Sequence, residues 1–418
     1  LDIQEKQPFS DQPMEEYASS GTYYFKTGTL CLETLSEHIQ REELTVGGEF
    51  YVSLSYKILL ERSKTVAVYP LQHFMQWGTP QDVETYKNWS KTFRHLVTHG
   101  AERGRQDGAL VVPMAGLGQR FAKEGYTLTK PLIFVSGRPM VIQATNDLPS
   151  APINRFILRK DIPDLEKIVA KLRSSFVSAE LVILEELTEG QAVSALHGIR
   201  GLSADEPVTI AACDNGLLFD PDRYRELLCD PEIDVIVWTF RGHPEAKNKP
   251  EMFGWVIETE MQEVSSVLVK EIPPDPTSDA MIVGTFTFKR AADYIRCAES
   301  LLARNGRINN EFYIDSLLKD ALDIGLTVVT FNVDSYVGWG TPNDLKTFEY
   351  WQSCFHKWSA HPYKIEKDAR VPVSQVSLLE DQYKDMDVMA TLGLSAGSPD
   401  QSRFFHFFNA LRSRFLSS

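Results

Sequence analysis

The sequence predicts an α/β fold, with a mixed, mostly parallel sheet flanked by helices, preceded by a partial copy of the same module. Three observations predict it. From residue 109 onward, short apolar runs alternate with helical patterns, as they do when parallel strands are joined by crossover helices. A glycine-rich turn follows directly on the first of those runs. Three short motifs recur in the same order at one spacing, which is the mark of a duplicated unit.

The elements follow in chain order. Residues 110–113 are a short apolar strand, and 155–158 and 181–184 are two more, with a helical pattern over 165–172 between them. The apolar run 208–212 leads through a loop to a helix at 224–228, and 233–240 and 326–331 are further strands. Residues 254–257, 264–269 and 282–288 follow one another without a helix, so antiparallel pieces are expected there.

The repeat sets the domain organisation. GTYYFK at 21–26 returns as GTFTFK at 284–289, GGEFYV at 47–52 as NNEFYI at 309–314, and WGTPQD at 77–82 as WGTPND at 339–344. The offsets are 263 (284 − 21) for the first pair and 262 (339 − 77) for the last. Residues 1–98 therefore read as the back half of a first module, whose front half is expected to precede it in the natural polypeptide. Residues 99–108, rich in Gly and charge, read as a linker, and 109–358 as a complete module. Residues 359–418 read as a polar tail ending in an amphipathic helix, with Phe404, Phe408, Leu411 and Phe415 at helical spacing and Phe405 widening the stripe. That helix is expected to dock on its own chain; a homo-oligomer contact and a membrane surface are the alternatives.

Composition narrows the function. The 418 residues are 43% hydrophobic and 24% charged, enough to bury a sizeable core. A net charge of −14 argues against a nucleic-acid partner, which calls for a basic face. It leaves room for an anionic small molecule held by a few local cations. The five cysteines are scattered with no C-x-x-C pair, which suits a reduced, cytoplasmic protein. No apolar run reaches the length of a membrane span.

The strongest chemical signal is the stretch 110–139, LVVPMAGLGQRFAKEGYTLTKPLIFVSGRP. Its apolar strand runs into Ala115, Gly116 and Gly118, where bare backbone N–H groups can approach a polyphosphate. Arg120 and Lys130 add cationic partners, one a planar fork and the other a point charge. The spacing fits neither a Walker loop nor a dinucleotide fingerprint. Downstream, Asp214 ends the apolar run 208–213, at the carboxyl end of a strand where open α/β sheets place ligands.

MAGLGQRF with the following KPL resembles the sugar-phosphate nucleotidyltransferases, the nucleoside-diphosphate-sugar pyrophosphorylases of Rossmann-like fold. The close variant is the capsule-type group whose loop reads P-M-A-G-x-G-x-R-F. The resemblance covers about residues 109–353 and accounts for 1–98 as part of a sister module. It implies that Ala115, Gly116, Gly118, Arg120 and Lys130 hold a nucleoside triphosphate, with the turn at Gly190 beside the nucleoside. It implies Mg²⁺ on Asp214 and Asp315, and Lys270 on the phosphate of the acceptor. Lys6 takes the place of Lys270 in the first copy, while Ser53 stands where the second has Asp315. Lys160 is a weaker phosphate candidate.

The implied reaction joins a nucleoside monophosphate to a sugar phosphate with release of pyrophosphate, for surface-polysaccharide precursors. The alternatives are transfer to a non-sugar phosphate such as phosphocholine, and a regulatory module that binds nucleotide or sugar without turnover. The Trp-Gly-Thr-Pro-x-Asp motif reads mainly as a helix start, with Thr341 as cap, Pro342 in the first position and Asp344 in the first turn. His243, with no second His or Cys nearby, reads as a loop residue.

Overall fold

The computed structural model describes residues 2–11, 16–98, 103–116 and 118–385. Leu117 and the expected terminal helix with Phe404 and Phe408 lie outside them. The chain divides into two compact units, Leu1–Met75 with Gln382–Ser418, and Gln76–Asp381.

In the first unit, local hydrogen bonding builds two helices. The Thr27 hydroxyl accepts from the Leu30 N–H and starts α1 (Gly28–Ile39), which buries Thr34 and His38. Gly47 and Gly48 both have positive φ, and the turn they form brings Val46 and Glu49 into a bridge. Then α2 (Ser55–Glu61) buries Ile58 and Leu59. Residues 21–26, whose repeat partner 284–289 overlaps an expected strand, are not a strand. Among the described residues of this unit no strand runs alongside them, and a strand without a neighbour leaves its backbone groups unpaired.

The second unit opens with α3 (Pro80–Thr98) and continues as alternating strands and helices. These are β1 (Ala109–Pro113), α4 (Gln119–Lys123), the short hairpin β2 (Phe134–Val135) and β3 (Arg138–Pro139), α5 (Met140–Asn146), β4 (Ile153–Arg159), α6 (Leu165–Ser175), β5 (Ala179–Leu184), α7 (Gln191–Ile199), β6 (Val208–Ala211), β7 (Asn215–Leu218), α8 (Pro221–Cys229) and β8 (Val235–Phe240). The back half adds α9 (Pro244–Asn248), β9 (Gly254–Glu258), β10 (Val264–Val269), β11 (Ala280–Phe288), α10 (Ala291–Ala303), α11 (Ile314–Asp323), β12 (Val328–Asn332), β13 (Ser335–Gly338), α12 (Pro342–Lys357) and α13 (Val373–Asp385).

The main sheet has nine strands, in the order β10-β9-β11-β6-β1-β4-β5, with β8 beside β11 and β12 beside β8. The pairings make β1, β4, β5, β6, β8, β9 and β12 run one way and β10 and β11 the other. The sheet is thus mixed and mostly parallel, as the alternating pattern predicts. Its two faces carry separate cores. Val111 and Ile157 point to a cluster with α7, α10 and α11, whereas their neighbours Val112 and Phe156 point to one with α5, α6 and α8. That is the period-two alternation of strands buried on both sides.

The two helices that follow the Trp-Gly-Thr-Pro motif, α3 and α12, pack on each other through aromatic rings. Trp89 stacks on Trp351 at 6.4 Å between ring centroids, and Phe93 meets Phe355 at 5.4 Å. Each pair is separated by the repeat offset of 262 (351 − 89 and 355 − 93). The crossed pairs also come in twos, with Tyr86 against Phe355 at 6.1 Å and Phe93 against Phe348 at 5.6 Å. This is the self-complementary pattern of an isologous contact, built here inside one chain. By this packing α3 belongs with the second unit, although its sequence pairs it with the first copy.

Two segments expected to be loose are packed. Gln106, in the expected linker, is buried and accepts from the hydroxyls of Thr209 and Tyr224. In the expected polar tail, Tyr363, Ile365, Asp368 and Arg370 are all buried. Arg370 pairs with the buried Asp147 at 3.2 Å, and the Tyr363 hydroxyl donates to Asp368 at 3.0 Å. Composition hid this segment because several of its polar groups find partners within the fold.

Candidate active site

The loop after β1 approaches the segment that carries Lys130. Gly118 has φ +61 and caps α4, and a Cβ there would come 2.9 Å from the Lys130 Cβ. Both the backbone angle and the contact therefore demand glycine. Gly116 differs, because a Cβ there would meet nothing within 4 Å. Among the described residues nothing crowds position 116, which is exposed. Arg120 is exposed on α4.

Lys130 reaches across to the carboxyl end of β6. Its ammonium donates to Asp214 Oδ2 at 2.5 Å and to the Gly340 carbonyl at 3.1 Å. Burial pulls the Lys130 pKa down, but the Asp214 and Cys213 charges outweigh it and hold the pKa above its ordinary value, against a smaller opposing push from Arg120. Lys130 and Asp214 thus share one site, with the Arg120 charge near enough to act on Lys130. The Trp339 N–H donates to the Asp214 carbonyl at 2.8 Å, and a Cβ on Gly340 would lie 3.3 Å from Asp214 Oδ2. The Trp-Gly of the motif serves this site as well as the helix start. The helix reading holds too, since Thr341 and Asp344 form a reciprocal capping box on α12.

Asp315 and Lys270 form a second group. Asp315 lies in the first turn of α11, and a Cβ on Gly254 would fall 2.3 Å from its Oδ2. Its residue keeps some surface, yet dense packing around the carboxyl raises its pKa to about 6, with Lys270 pulling the other way. Lys270 has φ +61, lies over the Tyr313 ring at 5.9 Å and donates to the Met252 carbonyl at 2.8 Å. Lys160 pairs with Glu185 at the exposed surface instead.

Gly190 has φ +136, and a Cβ there would lie 2.5 Å from the backbone N and O of Phe312. The face expected to admit a nucleoside is thus filled by the chain itself, which accounts for the glycine. The same contact fastens the turn to the stretch leading into Asp315, through the Phe312 N–H donating to the Glu189 carbonyl at 2.8 Å.

Sequence reading passed over Tyr336. Burial first, then the nearby Asp214, Asp344 and Glu245 charges, raise its hydroxyl pKa. Its aligned residue in the first copy, Phe74 (336 − 262), lacks the hydroxyl, and that difference was the available signal. His243 is wrapped by the rings of Phe240, Phe253 and Tyr336. Burial lowers its pKa to about 4.

Among the described residues, no three His, Cys, Asp or Glu side chains converge to hold a metal by themselves. Asp214 and Asp315 carry the kind of oxygen ligand that Mg²⁺ takes. Both offer carboxylate oxygens, Asp214 already receives a cation in Lys130, and Mg²⁺ normally takes one or two carboxylates together with substrate phosphates.

No protein-family model matches the chain, and no curated protein does. Solved structures do. The nucleoside-diphosphate-sugar pyrophosphorylase of Vibrio cholerae RC9 is similar at 21% identity and TM-score 0.48, over 57% of this chain and 98% of that one. The inositol-1-phosphate CTP transferase of T. maritima is similar at 16% identity and TM-score 0.45, over 60% and 96%. A putative glucose-1-phosphate thymidylyltransferase from Bacillus anthracis, in complex with a sucrose, follows at 15% and 0.45, over 58% and 94%. Likenesses at these values assign neither activity nor residues to this chain.

Proposed function

We propose that residues 109–358 are a nucleotidyltransferase that moves a nucleoside monophosphate from a nucleoside triphosphate to a sugar phosphate. The observation that carries this reading is the contact of Lys130 with Asp214, with Gly118 of the loop after β1 packed against the Lys130 side chain. A cation and a carboxylate stand together at the carboxyl ends of β1 and β6, where an α/β sheet binds its ligand.

An acceptor phosphate oxygen forms a bond to the α-phosphorus, and the bond from that phosphorus to the bridging oxygen breaks, releasing pyrophosphate. Arg120 and Lys130 hold the triphosphate and the leaving pyrophosphate, Lys130 exchanging its hold on Asp214 for the phosphates. Lys270 orients the acceptor. Asp214 and Asp315 would hold Mg²⁺, which would supply charge neutralisation. No general base is called for, because the attacking phosphate is already ionised at neutral pH. The protein's share is positioning and electrostatics.

The test is product identity. The chain is incubated with Mg²⁺, each common nucleoside triphosphate and a panel of sugar 1-phosphates and phosphocholine, and products are read by mass spectrometry. A nucleoside-diphosphate sugar from one pair is the expected result. A phosphocholine product would move the acceptor class, and no product from any pair would overturn the reading.

A further inference from the structure

A buried ion pair packs against the strand that follows Asp214. Asp147, at the end of α5, is 7% exposed, and Arg370 is 6%. The Asp147 carboxyl accepts from the Gln143 side chain on Oδ1 and from Arg370 on Oδ2, each at 3.2 Å. A Cβ on Gly216 would fall 2.7 Å from Asp147 Oδ2 and 2.8 Å from the Trp339 ring. Glycine at 216 therefore lets a carboxylate and an indole close on the β7 backbone together. Burial raises the Asp147 pKa to about 6, with Arg370 pulling the other way. An apolar pair of equal volume commonly serves stability as well, so stability alone does not account for two buried charges here.

The contacts run on to Asp214. Gly216 pairs with Val337, and Asn215 with Gly338, in the ribbon of β7 and β13. Trp339, next after β13, donates its N–H to the Asp214 carbonyl at 2.8 Å. Trp339 thus holds Asp214 through its backbone and meets Gly216 and Asp147 through its ring. Arg370 in turn is set by its own segment. Its backbone N–H donates to Asp368 at 2.9 Å, Tyr363 donates to the same carboxyl, and the Gln352 amide donates to both Tyr363 and Ser136. Gly137, in the turn between β2 and β3, has φ +80, and a Cβ there would lie 2.6 Å from Gln375 Cβ. The segment after α12 is thereby fixed on both sides of Arg370.

We propose that Arg370 and Asp147 are positioning residues for Asp214. Arg370 holds the Asp147 carboxylate against Gly216 and the Trp339 ring, and the Trp339 N–H sets the backbone from which Asp214 meets Lys130. Residues 359–372 thereby belong to the working part of the module. The role of Asp214 in turnover rests on the proposed function; its placement does not.

The test follows amide hydrogen exchange and steady-state kinetics on the full chain. Asp147→Ala combined with Arg370→Met removes both charges, so that folding does not depend on one unpaired buried ion. Below the melting temperature of the variant, exchange of the Trp339 N–H is expected to quicken about tenfold or more, with the amides of α10 on the other face of the sheet unchanged. The kcat is expected to fall about tenfold while the KM for nucleotide stays within about twofold. Arg370→Gln is expected to move both readouts the same way by a smaller factor, and Arg370→Lys to restore them. Leu172→Ala, a truncation of the buried face of α6, is expected to lower the melting temperature with neither effect. Trp339 exchange at the wild-type rate in the double variant would overturn the proposal, as would equal quickening in α10 or in Leu172→Ala, or quickened exchange with kcat unchanged. A wild-type chain that makes no nucleotide product, with Trp339 exchange quickened in the Arg370 variants, would sink the proposed function and leave the placement of Asp214 by Arg370 standing.

Discussion

GTYYFK at 21–26 and GTFTFK at 284–289 are nearly one sequence with two fates. The second stretch lies in β11, hydrogen-bonded to β6 on one edge and β8 on the other, and it buries Phe286 and Phe288 completely. The first is in no strand, and Tyr24 is exposed. Phe312 is 2% exposed where its counterpart Phe50 is 44%, and Trp339 is 0% where Trp77 is 52%. What differs is the company. Strands β6 and β8, drawn from residues 208–240, have no equivalent among the described residues of the first unit. A β-pattern in sequence is a propensity to fit a pleated surface, and it needs that surface to be present.

Helices behave otherwise. α1 buries Thr34 and His38 at the positions where α10 buries Cys297 and Leu301, 263 residues on. Thr79 with Asp82 and Thr341 with Asp344 make the same cap hydrogen bonds. The two turns Gly47-Gly48 and Asn309-Asn310 share positive φ at both central residues. Structure satisfied by local hydrogen bonds forms in both stretches, and structure that depends on a distant strand forms in one.

Four predictions press on that contrast. Phe312→Ala is expected to cost about 3–5 kcal/mol of stability by denaturant unfolding, and Phe50→Ala less than about 1 kcal/mol; equal losses would remove the distinction. Gly118→Ala, which pushes on Lys130 and strains its own backbone, is expected to lower kcat/KM for nucleotide by about 10²-fold. Gly116→Ala is expected to leave the melting temperature unchanged and to raise the KM for nucleotide alone.

The third prediction concerns pH. The folded pKa of His243, in the second unit, lies below its ordinary value. His243 therefore takes up a proton in the unfolded chain first, and stability present above about pH 6.5 is lost as the pH falls toward 4. His243→Phe is expected to flatten that limb by up to ~1.4 kcal/mol per pH unit, as read by unfolding at a series of pH values. The smallest effect is at the caps, where Thr79→Ala and Thr341→Ala are each expected to lose about 1 kcal/mol. A large difference between them would show that the two helix starts are not equivalent.

The contrast also explains what was legible in the sequence. The strands of the second unit and the cap at Thr341 follow from pattern, and Lys130 and Asp214 each stand out singly, but their contact is a tertiary one that no local pattern states. The absence of a strand at 21–26 does not follow from pattern either, because a strand needs neighbours, and none lies among the described residues of that unit. The filled face of Gly190 was hidden for a similar reason, since a sequence marks a close approach without saying whether ligand or backbone makes it. The buried segment around Tyr363 and Arg370 reads as polar because Asp147, which pairs with Arg370, lies far from it in sequence.

The most direct measurement of the central claim is the rate of pyrophosphate release by the wild-type chain, Lys130→Ala and Asp214→Ala, with Mg²⁺ and the best substrate pair. The account predicts release by the wild type and a fall of about 10²-fold or more in each variant, with folding unchanged by circular dichroism. Release that persists at the wild-type rate in both variants would contradict it.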